Sequence, residues 1–180
     1  MKKILLAFSL SILTIAQLVA QDKTPVSAEK KLSTYEPGDR AQSVYFELLG
    51  AGLTYSFNYD SRFQNTLNGL GGRVGVSYLS ADGNSIFTAP IMLNYLLGKH
   101  GKYFEMGVGA TFVNFDSNKA NNSNNEILFV ESSGVYGNMV FGYRKQPVDG
   151  GFMFRAGISP IFNANNFLPY YGYISLGYSF

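Results

Sequence analysis

The 180-residue chain carries 14 basic and 12 acidic residues, a net charge of +2, and no cysteine. So weak a charge balance argues against a nucleic-acid-binding surface, and without cysteine neither a disulfide nor a lipid-modified thiol is possible. Twenty glycines, 13 tyrosines and 15 phenylalanines against only 14% charged residues suit strands, and beyond residue 20 no apolar run is long enough to span a membrane as a helix.

Lys2 and Lys3 precede an apolar run from Ile4 to Ala16, and Gln17-Leu18-Val19-Ala20 offers a small residue before a cut. The run falls short of the roughly 20 apolar residues of a spanning helix, so it reads as a secretion signal over residues 1–20, cleaved after Ala20. Residues 21–42 are polar, hold Pro25 and Pro37, and show no sustained period. They read as a periplasmic N-terminal segment without a core of its own.

From Ser43 onward the period is two, the strand signature. Val44, Phe46 and Leu48 oppose Tyr45 and Glu47. After Gly50-Ala51-Gly52 the phase flips, so that Leu53, Tyr55, Phe57 and Tyr59 oppose Thr54, Ser56, Asn58 and Asp60. Such a flip marks either a turn or a bulge in one long strand. The turn gives eight strands and the bulge seven, and an even count favours the turn, although its strands are shorter than the roughly 9 to 11 residues expected. Ser61 to Asn68 reads as a turn. Leu70 to Tyr78, Phe87 to Leu97, Tyr103 to Phe112, Gly134 to Arg144 and Phe152 to Ser159 then alternate, and the closing strand runs from Leu168 to Phe180. The connections between them are Ser80 to Ser85, Gly98 to Gly101, the polar loop Asp116 to Glu126, Gln146 to Gly150 and Asn163 to Phe167, with Ile127 to Ser133 extending the sixth strand. The expected fold is all-β: an antiparallel up-and-down transmembrane barrel over residues 43–180, apolar side chains outward and small or polar ones inward.

The polar phase carries the informative charges. Glu47, Arg73, Glu105 and Arg155 fall on strands one, three, five and seven with alternating sign, and should form a charge layer inside the barrel. A barrel of eight strands has an interior just wide enough for side chains to fill, so the layer reads as a structural plug, with a gated path for a small solute or ion as the alternative. Tyr59, Tyr95, Tyr143, Phe152 and Tyr178 fall near one set of strand ends and should form the periplasmic aromatic girdle. Catalytic chemistry finds no support. The single histidine, His100, sits in a turn between Lys99 and Gly101, where no serine pairs with it. No cysteine, histidine pair or carboxylate cluster provides a transition-metal site. Asp116 to Glu126 lacks the regular acidic spacing of a calcium loop, and Gly69-Leu70-Gly71-Gly72 is followed by no helix that would make it a phosphate cradle. No cofactor is expected.

The signal segment, about eight alternating strands and the closing Tyr178-Ser179-Phe180 resemble the small outer-membrane β-barrel proteins of Gram-negative bacteria, the OmpA/OmpX/OmpW-like group. The resemblance covers Ser43 to Phe180. It implies a monomer in the cell outer membrane, lipid around the barrel, and an assembly signal at Tyr178 and Phe180 read by the barrel-assembly machinery. No enzymatic activity is expected, because the residues offer no catalytic constellation. The role expected is structural or surface-interacting, with a narrow porin-like channel as the alternative, and no extracellular partner is identified.

Overall fold

A computed structural model describes residues 40–81, 84–117 and 133–180. The secretion signal, residues 21–39, Asp82-Gly83 and residues 118–132 lie outside the described residues. So do most of the Asp116 to Glu126 loop and the proposed extension of the sixth strand, of which Ser133 is seen as a bend.

The described chain is a closed antiparallel barrel. Its strands are β1 (Gln42–Leu49), β2 (Tyr55–Arg62), β3 (Gly69–Ala81), β4 (Asn84–Lys99), β5 (Lys102–Ser117), β6 (Gly134–Lys145), β7 (Gly151–Ile158), β8 (Ile161–Phe162), β9 (Phe167–Leu168) and β10 (Gly172–Ser179). Each pairs with its neighbour in the ring, β1 with β10 and β5 with β6 completing the closure. β8 keeps the register of β7 against β6, Phe141 facing Ile158 and Asn138 facing Ile161. Ser159 and Pro160, the latter without an N–H, interrupt the run. β9 and β10 likewise make one stave, so the ten segments form eight barrel strands.

The Gly50-Ala51-Gly52 phase flip is a turn, as β1 and β2 pair from Gln42↔Ser61 to Leu48↔Tyr55. Three expectations need correction. β2 continues through Ser61 and Arg62, so the turn begins at residue 63. Strand propensity is weak at Ser-Arg, but cross-strand bonding to β3 reaches Arg62↔Gly71 and overrides it. The closing strand is not continuous from Leu168. Between the pairs Leu168↔Ile161 and Gly172↔Ile158, three residues (169–171) face two (159–160), a β-bulge placed where prolines on both strands leave the ladder short of donors. Leu53 does not share the outward face of Tyr55, Phe57 and Tyr59. It is buried inside the barrel, because the turn that carries it folds inward.

Burial follows the period of two. Along β4 the odd residues Ile91, Leu93, Tyr95 and Leu97 are exposed, while Met92, Asn94 and Leu96 are buried. The wall is uneven in height: β3, β4 and β5 have 13, 16 and 16 residues, whereas β1 and β2 have eight each. One end, the terminal end, holds Gln42, Phe180 and the turns at residues 63–68, 100–101 and 146–150. Gln42 and Phe180 exchange both backbone bonds there, at 3.0 and 2.9 Å. The other, the loop end, holds the β1–β2 turn and the β8–β9 connection.

Candidate functional site

The interior is where the polar chemistry gathers. Seven charged side chains from six strands point into it: Glu47 on β1, Asp60 and Arg62 on β2, Arg73 on β3, Glu105 on β5, Arg144 on β6 and Arg155 on β7. None is more than 1% exposed. They join in a single chain of alternating sign, Arg73–Glu47–Arg155–Glu105–Arg144–Asp60–Arg62, so that every carboxylate lies between two guanidinium groups.

Arg155 is the centre of that chain. Its Nε and Nη2 donate to the two oxygens of Glu105, both at 2.8 Å, the bidentate geometry that makes such pairs strong. Its Nη1 donates to Glu47 Oε2 at 2.9 Å, and its guanidinium carbon lies 4.5 Å from the Tyr45 ring centre and 5.1 Å from that of Tyr173, within cation–π range. Glu47 also accepts from Arg73 and from Ser175 Oγ. Asp60 accepts from Arg62 at 2.7 Å and from Arg144 at 3.0 Å. Asn94 bridges two acids, its Nδ2 donating to Asp60 at 2.6 Å and Glu105 at 2.9 Å. Four guanidinium groups thus meet three carboxylates in a space closed to solvent, where leaving any one of them unpaired would be costly.

The four residues expected to form a charge layer, Glu47, Arg73, Glu105 and Arg155, are all in this chain. Arg73 contacts Glu47 and not Glu105. Asp60 and Arg144 lie on the polar phase that alternation already assigns them, and Arg62 two residues beyond Asp60, where alternation continued through Ser61 would have found it. The small lining residues make room for them. A Cβ at Gly71 would stand 2.2 Å from the Arg62 guanidinium carbon, and one at Gly142 2.4 Å from the Tyr173 hydroxyl.

Above the charges, the β1–β2 turn closes the interior. Leu49, Gly50 and Leu53 have φ of 62°, 66° and 71°, a region that leucine occupies at a cost. At Leu53 burial offsets that cost. Leu53 packs with Ile86, Val113 and Tyr136, and Ala51 with Met92, Val140 and Tyr173. The turn's carbonyls find donors on the barrel wall: Thr111 Oγ1 donates to Ala51 at 2.7 Å, Thr88 Oγ1 to Gly52 at 3.1 Å, and the Tyr171 hydroxyl to Leu53. The turn rests on the charges, since a Cβ at Gly50 would lie 2.7 Å from Glu47 Oε1.

Outside, Tyr59, Tyr178 and Phe152 fall in one cross-strand row through Val44, all exposed. Tyr143 and Tyr95 are exposed on the opposite wall, Tyr143 beside Phe104. Phe180 is exposed at the end of the ladder to β1. His100 sits in the β4–β5 turn with φ of 57°, away from the interior. Among the described residues no group of three histidine, aspartate or glutamate side chains is arranged to hold a metal.

No protein-family model and no curated protein matches the chain. Two solved structures share its fold. The N-terminal β-barrel domain of Pseudomonas aeruginosa OprF aligns with a TM-score of 0.51 and 12% identity, covering 79% of this chain and 99% of that one. The Yersinia pestis outer membrane protein Ail, solved in phospholipid bilayer nanodiscs, aligns at 0.50 with 14% identity, covering 79% and 98%. The fold is therefore that of the eight-stranded outer-membrane barrels.

Proposed function

We propose that the protein is an integral outer-membrane barrel whose interior is a closed structural plug, and whose role is structural or surface-interacting rather than catalytic. The observation that carries this reading is the inversion of the fold: seven charges inside, and an outer wall of exposed Val, Leu, Ile, Phe and Tyr. Water would penalise such a wall, whereas lipid matches it. On this reading the terminal end faces the periplasm, where short turns belong, and the loop end faces outward. The rows of Tyr59, Phe152 and Tyr178 and of Tyr95 and Tyr143 are the interfacial girdle, Tyr178 and Phe180 carry the assembly signal, and the barrel is monomeric. Alkaline carbonate extraction tests the membrane assignment. The chain should stay with the membrane pellet, and its release to the supernatant would overturn the reading.

The alternative, a narrow channel, requires a continuous polar path. The apolar contacts of Ala51 with Met92, Val140 and Tyr173 lie across that path, so the closed reading is favoured.

A further inference from the structure

At the terminal end the outer wall carries a row of three lysines that no acid offsets. Lys99, Lys102 and Lys145 are all exposed, and the register sets Lys102 directly opposite Lys99 on one side and Lys145 on the other. Like charges opposite one another weaken a sheet, and no carboxylate among the described residues forms an ion pair with any of the three. The alternation places them on the outward face. The next outward rung is Leu97, Phe104 and Tyr143, and the one beyond it Tyr95, Met106 and Phe141. A cationic row at the rim thus continues into two apolar rows.

We infer that this surface binds the headgroup of an anionic phospholipid, its phosphate held by Lys99, Lys102 and Lys145 and its acyl chains laid along Leu97, Phe104 and Tyr143. The inference rests on the membrane reading above. Charge complementarity selects the occupant: a zwitterionic headgroup would leave three repelling ammonium groups unsatisfied, whereas an anionic one turns their repulsion into a site. Basic residues near an anionic lipid surface attract it by an amount equal to about a fivefold preference each. The terminal end selects phospholipid over outer-leaflet glycolipid.

The test uses the full chain refolded in mixed micelles of phosphatidylglycerol and phosphatidylcholine, with retained lipid counted by native mass spectrometry. The wild-type chain should retain phosphatidylglycerol preferentially. Lys102→Gln should lower that preference about fivefold, and the triple change K99Q/K102Q/K145Q about a hundredfold, whereas Lys102→Arg should preserve it. In vesicles of phosphatidylcholine alone the triple variant should be at least as resistant to urea as the wild type, because repulsion has been removed; this separates lost binding from lost folding. Equal retention by wild type and triple variant would overturn the inference, as would preferential retention of lipid A when lipid A and phosphatidylglycerol are offered together in the same micelles. Failure of the wild type to insert into the phosphatidylcholine vesicles would instead count against the membrane reading itself.

Discussion

The two halves of the barrel interior are filled by opposite means. Near the terminal end, six strands each contribute charged side chains, and what holds them is a chain of ion pairs in which Arg155 touches both Glu47 and Glu105. Near the loop end one turn folds in, and its backbone carbonyls are met by threonine and tyrosine hydroxyls while Ala51 and Leu53 take apolar neighbours. The first half is a shared network whose members depend on one another. The second is a single inserted element held by independent contacts. Substitutions in the first should therefore be strongly coupled, and those in the second closer to additive.

Arg155→Met should be the most damaging single change, because it takes one guanidinium from Glu47 and from Glu105 at once, leaving each with a single arginine partner, Arg73 and Arg144. Breaking a buried pair costs about 3–5 kcal/mol, which should appear as a lower urea midpoint and less heat-modifiable barrel on gels. Arg73→Ala should cost somewhat less, since Glu47 keeps Arg155 and Ser175 as partners. Here a double-mutant cycle sharpens the comparison. Glu47→Gln should restore part of the Arg73→Ala loss and Glu105→Gln should not, because only Glu47 touches Arg73. Coupling of equal size to both acids would mean that the chain is rearranged from the pairing described.

In the loop half the effects should be smaller. Gly50→Val places a branched side chain at φ of 66° against Glu47 and Tyr173, and overpacking of this kind typically costs about 1–3 kcal/mol. Thr111→Val removes the donor to Ala51 and the acceptor of Asn138 Nδ2, and should cost about 1–3 kcal/mol. That loss should add to the loss from Tyr171→Phe within about 0.5 kcal/mol, as measured by urea unfolding in lipid vesicles. Strong coupling between these two would show that the turn is held as a network after all.

The outer wall was the most legible feature. A period of two needs only neighbouring residues to be read, and Val74, Ile91, Leu93 and Val108 are exposed on the face that alternation assigns them. The interior was half legible. Glu47, Arg73, Glu105 and Arg155 stand out by alternating sign on alternate strands, but phase alone does not say which acid meets which arginine. That depends on strand stagger, which a single chain does not display. Arg62 was hidden in what looked like a turn, because Ser61-Arg62 has weak strand propensity and it is pairing on both sides, to Gln42 and Ala41 and to Gly71-Gly72, that keeps it in β2. The inward fold of the β1–β2 turn left the faintest mark. Alternation resumes at Leu53 and so assigns that residue outward, and nothing in Gly50-Ala51-Gly52 says that the turn leans in. That choice is made by Thr88, Thr111 and Tyr171, contributed from distant strands.

The central claim is that the interior is closed, by charges at one end and by a turn at the other. Single-channel recording of the wild-type barrel in a planar phospholipid bilayer tests it most directly. With the charge chain paired and Ala51 seated against Met92, Val140 and Tyr173, the barrel should be silent, with no conductance steps in molar potassium chloride. Discrete, reproducible steps from the unmodified protein would contradict it and show that the interior holds a continuous aqueous path.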